Sequence, residues 1–242
     1  MRKNLLAVAA IIIIISLASC KTNVLRGSGN KTTTTLPVSS FSEIAVSIPI
    51  KTVITVKEGA PGLQLSGYEN LIKHIKATIE NNKLTIHYDL DDTWTVHSDG
   101  LTATINVPSL ASLSLIGAPD ADVHGNITGS DFRLVISGAS DVTFDNISTD
   151  NFIADVSGAG DIKINGGNVK RATYTISGAG DIKAYPLQAQ ETSASISGAG
   201  DGQVTALQKL TANISGAGDI KYKGHPVITK NISGVGDLTD AN

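Results

Sequence analysis

The chain has 242 residues, 41% hydrophobic and 17% charged, which is enough for one sizeable core and too apolar for a disordered chain. A net charge of −3 without Lys/Arg runs excludes a nucleic-acid-binding surface, and a single cysteine excludes an internal disulfide framework and any CxxC site. Glycine is abundant, at 24 residues, while rings number 4 Phe, 5 Tyr and 1 Trp, so an aliphatic core is expected, with an interior too narrow for many rings.

Arg2 and Lys3 precede an uncharged stretch that ends at Cys20. Its apolar heart, Leu5 to Leu17, is short of the ~20 residues of a membrane span and fits a signal segment. The stretch closes as Leu17-Ala18-Ser19-Cys20, which resembles a bacterial lipobox. Residues 1–19 therefore read as a lipoprotein signal peptide and Cys20 as a lipid anchor to the membrane, with an outer-membrane location in the cell envelope. Residues 20–37, rich in Thr, Gly, Ser and Asn, read as a flexible tether with a span of roughly 25 Å.

Residues 38–242 read as one β domain, irregular over 38–114. Strands are expected at 51–57, at 77–80 and 83–88 around an Asn81-Asn82 hairpin turn, and at 101–107, with a short helix within 69–77. His87, Asp89, Asp91, Asp92, His97 and Asp99 surround Tyr88 and Trp94. This cluster reads as a solvated hairpin tip, with Tyr88, Trp94 and His97 as candidate ligand contacts because rings stack on sugars.

From residue 115 a repeat takes over. Ile136 to Asp141 and Val156 to Asp161 are followed by three copies of I-S-G-A-G-D, and the last copy runs from Ile232 to Asp237. With the degenerate Leu115 to Asp120, the seven aspartates are spaced 21, 20, 20, 20, 18 and 18 residues apart. The leucine ladder of leucine-rich repeats is missing, and the segments alternate apolar and polar with period two, as strands do. Residues 115–242 thus read as seven coils of a parallel β-helix of about 18–21 residues each. The corners are Gly138 and Asp141, Gly158 and Asp161, Gly178 and Asp181, Gly198 and Asp201, Gly216 and Asp219, and Gly234 and Asp237, where glycine enters positive φ cheaply. Residues before each Ser (Ile136, Val156, Ile176, Ile196, Ile214, Ile232) and after most Asps (Val142, Ile162, Ile182, Ile220, Leu238) should point inward.

Stacked carboxylates ~4.8 Å apart repel by roughly 0.9 kcal/mol in water. Lys163, Lys183 and Lys221, two residues after their aspartates, are expected to offset this, together with Asx-turn bonds inside each corner. One regular carboxylate per coil falls short of the 6–8 oxygens calcium takes, so no metal and no cofactor is expected.

The pattern Phe41…Ile44…Val46, then Asn70-Leu71, Lys83-Leu84-Thr85-Ile86, Pro108 to Leu115 and the S-G-A-G-D-I coils resembles the putative auto-transporter adhesin head GIN domain family of Bacteroidetes lipoproteins. The resemblance covers about residues 40–238. It implies an all-β, right-handed, single-stranded parallel β-helix in the cell envelope and transfers no catalytic residue. The first copy departs from the pattern at Ile116 and Pro119. No GxSxG, HExxH or P-loop motif occurs. The expectation is a non-catalytic, lipid-anchored envelope protein for adhesion to a glycan or to an envelope or host surface component. The alternative is a periplasm-facing glycan or lipid binder, and the third reading is a carbohydrate-active enzyme. Open sheet edges at the ends of the helix allow a homodimer.

Overall fold

The computed structural model describes residues 23–91 and 93–242. The signal segment and Cys20 lie outside the described residues. Among the described residues the regular structure is all β apart from one helical turn. The first strands are β1 (Asn23–Arg26), β2 (Lys31–Leu36), β3 (Glu43–Val46), β4 (Lys51–Val56) and β5 (Gly62–Tyr68). Helix α1 (Glu69–Ile72) precedes β6 (Ile75–Glu80), β7 (Lys83–Tyr88), β8 (Trp94–His97), β9 (Thr102–Val107) and β10 (Ser112–Gly117). The repeat region forms β11 (Asp120–Gly138), β12 (Val142–Gly158), β13 (Ile162–Ile164), β14 (Gly167–Gly178), β15 (Ile182–Lys183) and β16 (Leu187–Ile196). It closes with β17 (Gly202–Ile214), β18 (Ile220–Lys223), β19 (Val227–Ile232) and β20 (Leu238–Asp240).

These strands stack as a parallel β-solenoid. One wall runs β7, β3, β10, β11, β12, β14, β16, β17, β19, and a second runs β9, β4, β11, β12, β13, β15, β17, β18, β20. The first half extends the same architecture, as its Val/Ile runs imply. Its order in space is not its order in sequence, however. The coil of β3 and β4 sits between that of β7 and β9 on one side and that of β10 and β11 on the other.

The N-terminal end is closed by antiparallel pairings, β2 on β5 and β6 on β7. The β6–β7 hairpin turns at Asn81 and Asn82, both with positive φ (49° and 66°) as a two-residue hairpin loop requires. The short helix expected within 69–77 is the single turn α1, whose Leu71 and Ile72 are buried.

The tether expectation is corrected here. Lys31–Leu36 pairs along its whole length with β5, and Thr33 Oγ1 lies 2.8 Å from Ser66 Oγ. A run of four β-branched threonines is a strand former once a partner edge is available, and that preference outweighs the polar composition.

The inward rows hold. Ile136, Val156, Ile176, Ile196 and Ile214 are paired in register and all but inaccessible to solvent, as are Val142, Ile162, Ile182 and Ile220. Ile232 and Leu238, on the last coil, are half-buried. The expectation of little room for rings is corrected. Phe132 and Phe152 stack at 5.7 Å and 8° inside neighbouring coils, and Phe144 and Tyr174 meet them edge-on at 5.5 and 5.7 Å. A flat ring in one coil sits parallel to its neighbour along the stack, so coil repetition favours this geometry.

The corner glycines also need a different explanation. Gly138 and Gly158 have φ of 133° and 136°, but Gly178, Gly198, Gly216 and Gly234 do not share that conformation. Their common property is close approach. A Cβ at Gly178 would lie deep inside contact distance of the Gly158 carbonyl oxygen, and the same clash recurs up the ladder. Gly160, Gly180, Gly200, Gly218 and Gly236 make a second such row.

At the C-terminal end the ladders stop. The inward rows through Leu210 and Ala212 continue to Ile228 and Lys230. The Asn242 side chain both accepts from Gly224 N–H (2.8 Å) and donates to its carbonyl (2.9 Å), replacing the backbone of a further coil.

Gly178→Ala should destabilise the fold by about 2 kcal/mol or more, because backbone must move. Gly202→Ala, whose new methyl would meet only Ile196 and Ile220 side-chain carbons at 3.6 Å, should change it by no more than about 0.5 kcal/mol. Denaturant unfolding of both variants checks this, and equal losses would contradict the close-approach explanation.

Candidate functional site

Three features could carry interactions. The first is the Asp corner, formed where each coil turns between its two walls. Asp120 Oδ1 accepts the backbone N–H of Asp141 at 3.0 Å, and the arrangement repeats from Asp141 to Asp161, Asp161 to Asp181, Asp181 to Asp201, Asp201 to Asp219 and Asp219 to Asp237 at 2.8–3.2 Å. The expected Asx-turn inside each corner is therefore corrected: the carboxylate bonds to the next coil. Only Asp237, which has no coil beyond it, folds back to accept Leu238 N–H at 2.8 Å. An amide–carboxylate bond at such a half-exposed corner contributes about 1 kcal/mol, comparable to the repulsion between neighbouring carboxylates. Of the three lysines, Lys183 reaches the ladder, 3.4 Å from Asp161 and 3.9 Å from Asp181. Among the described residues, Lys163 and Lys221 make no ion pair with it. One oxygen of each carboxylate down to Asp219 is thus committed to structure. Among the described residues no group of three or more His, Cys, Asp or Glu is arranged to hold a metal ion.

The second feature is the polar cluster around Trp94. Sequence reasoning made it the tip of a hairpin, and this is corrected: β8 pairs with β1, in parallel, from Asn23 opposite Trp94 to Arg26 opposite His97. Tyr88, Trp94 and His97 are not gathered into one site. Tyr88 ends β7 and packs against the core. Burial pushes its phenol up to about 12, weakly opposed by Ser98 nearby. The Ser98 hydroxyl donates instead to the Pro49 carbonyl, leaving Tyr88 Oη without a formed hydrogen bond. Trp94 and His97 are three residues apart on one strand and so face opposite sides. Trp94 is 38% exposed, whereas His97 lines a hollow of about 220 Å³ with Arg26, Gly27, Tyr68 and Asp99.

The third feature was not seen in the sequence. Arg171, Glu191 and Lys209 stand opposite one another on β14, β16 and β17. Arg171 Nε donates to Asn151 Oδ1 (2.9 Å), whose Nδ2 donates to Asp131 (2.7 Å), so a row of charged and amide groups runs up this corner. Ser130 and Asn151 together hold the Asp131 carboxyl below its usual range. Beside the row lies a groove of about 180 Å³, lined also by Thr173, Thr192, Ser193 and Thr211. The register shifts between Ala189 and Glu191, next to this groove. The drop in aspartate spacing from 20 to 18 residues between Asp201 and Asp219 was the signal that one coil is shorter there.

This geometry agrees with the comparisons. Residues 40–226 match the family described as "Putative auto-transporter adhesin, head GIN domain", and the chain belongs to that family. Among solved structures, a putative adhesin from Bacteroides fragilis is similar over 90% of this chain and 100% of its own, at 26% identity and a TM-score of 0.82. A putative lipid binding protein from Parabacteroides distasonis shares the fold over 91% of this chain and all of its own, at 24% identity and a TM-score of 0.73. A putative adhesin from Parabacteroides merdae does so over the same shares, at 20% identity and a TM-score of 0.71. Comparison with curated proteins gives no match.

Asp161→Ala should cost about 1 kcal/mol, since Asp181 N–H loses its acceptor. Asp161→Asn keeps an oxygen and removes a charge, so it should stay within about 0.5 kcal/mol of the parent in thermal and denaturant unfolding. Equal losses in both variants would mean that charge, not the hydrogen bond, matters at the corner.

Proposed function

We propose that this chain is a non-catalytic envelope protein, anchored through lipid on Cys20, whose solenoid walls present an interaction surface for adhesion to a glycan or surface component. The observation that carries this reading is the regular stack. From Ser137 onward successive coils repeat the outward Ser-Gly and Asp corner in register, and a rigid, repetitive face suits contact with an extended or repeating partner better than chemistry on a single small molecule. Family membership and the likeness to the Bacteroides fragilis adhesin support an envelope or surface location.

A second reading, a periplasm-facing binder of glycans or lipids, is favoured by the groove at Arg171, Glu191 and Lys209. Its charged groups and hydroxyls suit the hydroxyl-rich edge of a sugar. The Parabacteroides distasonis structure named for lipid binding supports the shared fold only. End-to-end pairing of two copies would use the free edges of β19 and β20, where Val227, Ile228 and Val235 are exposed. Lys230 in an inward row opposes it, as inward charge does at sheet ends generally. Sedimentation that shows a strict monomer at high concentration removes the dimer.

Protease treatment of intact cells separates the two main readings. Surface display predicts loss of the solenoid while a periplasmic marker survives. Full protection would overturn the adhesin and favour the inward-facing binder.

A further inference from the structure

We propose that the β1–β8 ribbon rests on the bilayer, with Trp94, Leu25 and Val96 lying in its interfacial layer. This rests on the membrane-anchoring reading above.

The first observation is the ribbon itself. β1 and β8 form a two-stranded sheet of four residues each, separate from the solenoid sheet. Such a pair is marginal alone in water. The register sets Asn23 opposite Trp94 and Leu25 opposite Val96, so Trp94, Leu25 and Val96 share one face. Leu25 and Val96 are half-buried and lie outside the solenoid's apolar core, and Trp94 beside them is exposed, so this apolar face is open to solvent chiefly at the indole. Val24, 50% exposed, stands opposite Thr95 and so belongs to the ribbon's other face.

The second observation is reach. Asn23 follows Cys20 by three residues, and three extended residues span at most about 11 Å. A chain held at Cys20 therefore keeps the ribbon within the headgroup layer or just above it. An uncleaved Leu5–Leu17 segment would do nearly the same.

The third is that the ribbon is fixed to the body. Asn70 Nδ2 donates to the Arg26 carbonyl at 2.8 Å, Ser28 N–H donates to Asn70 Oδ1 at 2.9 Å, and Glu69 N–H donates to the Asn30 carbonyl at 3.1 Å. The Tyr68 ring packs so closely on Gly27 that a Cβ there would clash with it. Tryptophan is the side chain best suited to the bilayer interface, apolar in body with one N–H to keep wet. The occupant of this face is thus the lipid surface nearest the chain's own anchor, and contact there sets the orientation of the whole solenoid.

Trp94 is the only tryptophan, so its fluorescence reports this site alone. The full chain, extracted from membranes, would be reconstituted into phosphatidylethanolamine–phosphatidylglycerol vesicles with and without brominated acyl chains, and the acylation of Cys20 read by mass spectrometry. The expected result is an acylated Cys20, a blue-shifted Trp94 emission and loss of that emission in brominated vesicles. Leu25→Asp should abolish the quenching while the thermal transition and the acylation stay unchanged. Acylated protein whose Trp94 is unquenched by brominated lipid and open to iodide overturns the proposal and leaves the anchor standing. A blue shift that lipid does not quench, with a dimer in sedimentation, gives the face to a second copy and also overturns it. Protein without acyl on Cys20 that leaves the membrane fraction overturns the anchor, and the proposal with it.

Discussion

Successive coils approach so closely at one corner that no side chain fits between their backbones. Glycine at the Gly158, Gly178 and Gly198 row lets each carbonyl oxygen lie against the Cα of the next coil. Three residues on, each carboxylate reaches the amide of the equivalent residue one coil away. The two devices depend on each other. Without the close approach the carboxylate would not reach the next amide, and without that bond a row of half-exposed carboxylates would push the coils apart. The aliphatic rows then meet in register, because the corner has already fixed the vertical spacing.

The same constraint determines what the molecule offers to others. A fold built by in-register stacking turns each sequence position into a row, so neighbouring side chains on the outside are copies or close variants. Charged rows must then be patterned to avoid self-repulsion. Asp131, Asn151, Arg171, Glu191 and Lys209 solve this by alternation. Departures from repetition stand out: the shortened coil beside the groove at Arg171, and the ribbon of β1 and β8, which belongs to neither wall. These are where a specific contact has most to work with, and the long regular walls are where a repetitive one does.

Much of the fold was legible in the chain. The aspartate spacing, the alternation around each Ser-Gly corner and the Asn81-Asn82 turn are local patterns, and local patterns map directly onto coils and hairpins. What was not legible is what depends on partners distant in sequence. Thr32 to Thr35 read as a linker by composition, and only the edge of β5 makes them a strand. Trp94 read as a hairpin tip because its actual partner, β1, lies some seventy residues earlier and carries no motif. The insertion of the β3 and β4 coil between two later segments is equally invisible, since every strand involved has the same alternating pattern. The ring stack of Phe132, Phe152 and Tyr174 escaped for a related reason: spacing shows which residues align, and only packing shows that the interior takes a ring.

The most direct test of the corner is amide hydrogen exchange in the native state. The N–H groups of Asp141, Asp161, Asp181, Asp201, Asp219 and Asp237 stand at solvent-accessible turns, and each donates to a carboxylate of the preceding coil. They should exchange as slowly as the amides of the interior strands beside them, because breaking one bond requires the coils to separate. Exchange at the fast rate of an open loop would contradict the account, showing that the walls hold the coils together and that the aspartates only decorate the turn.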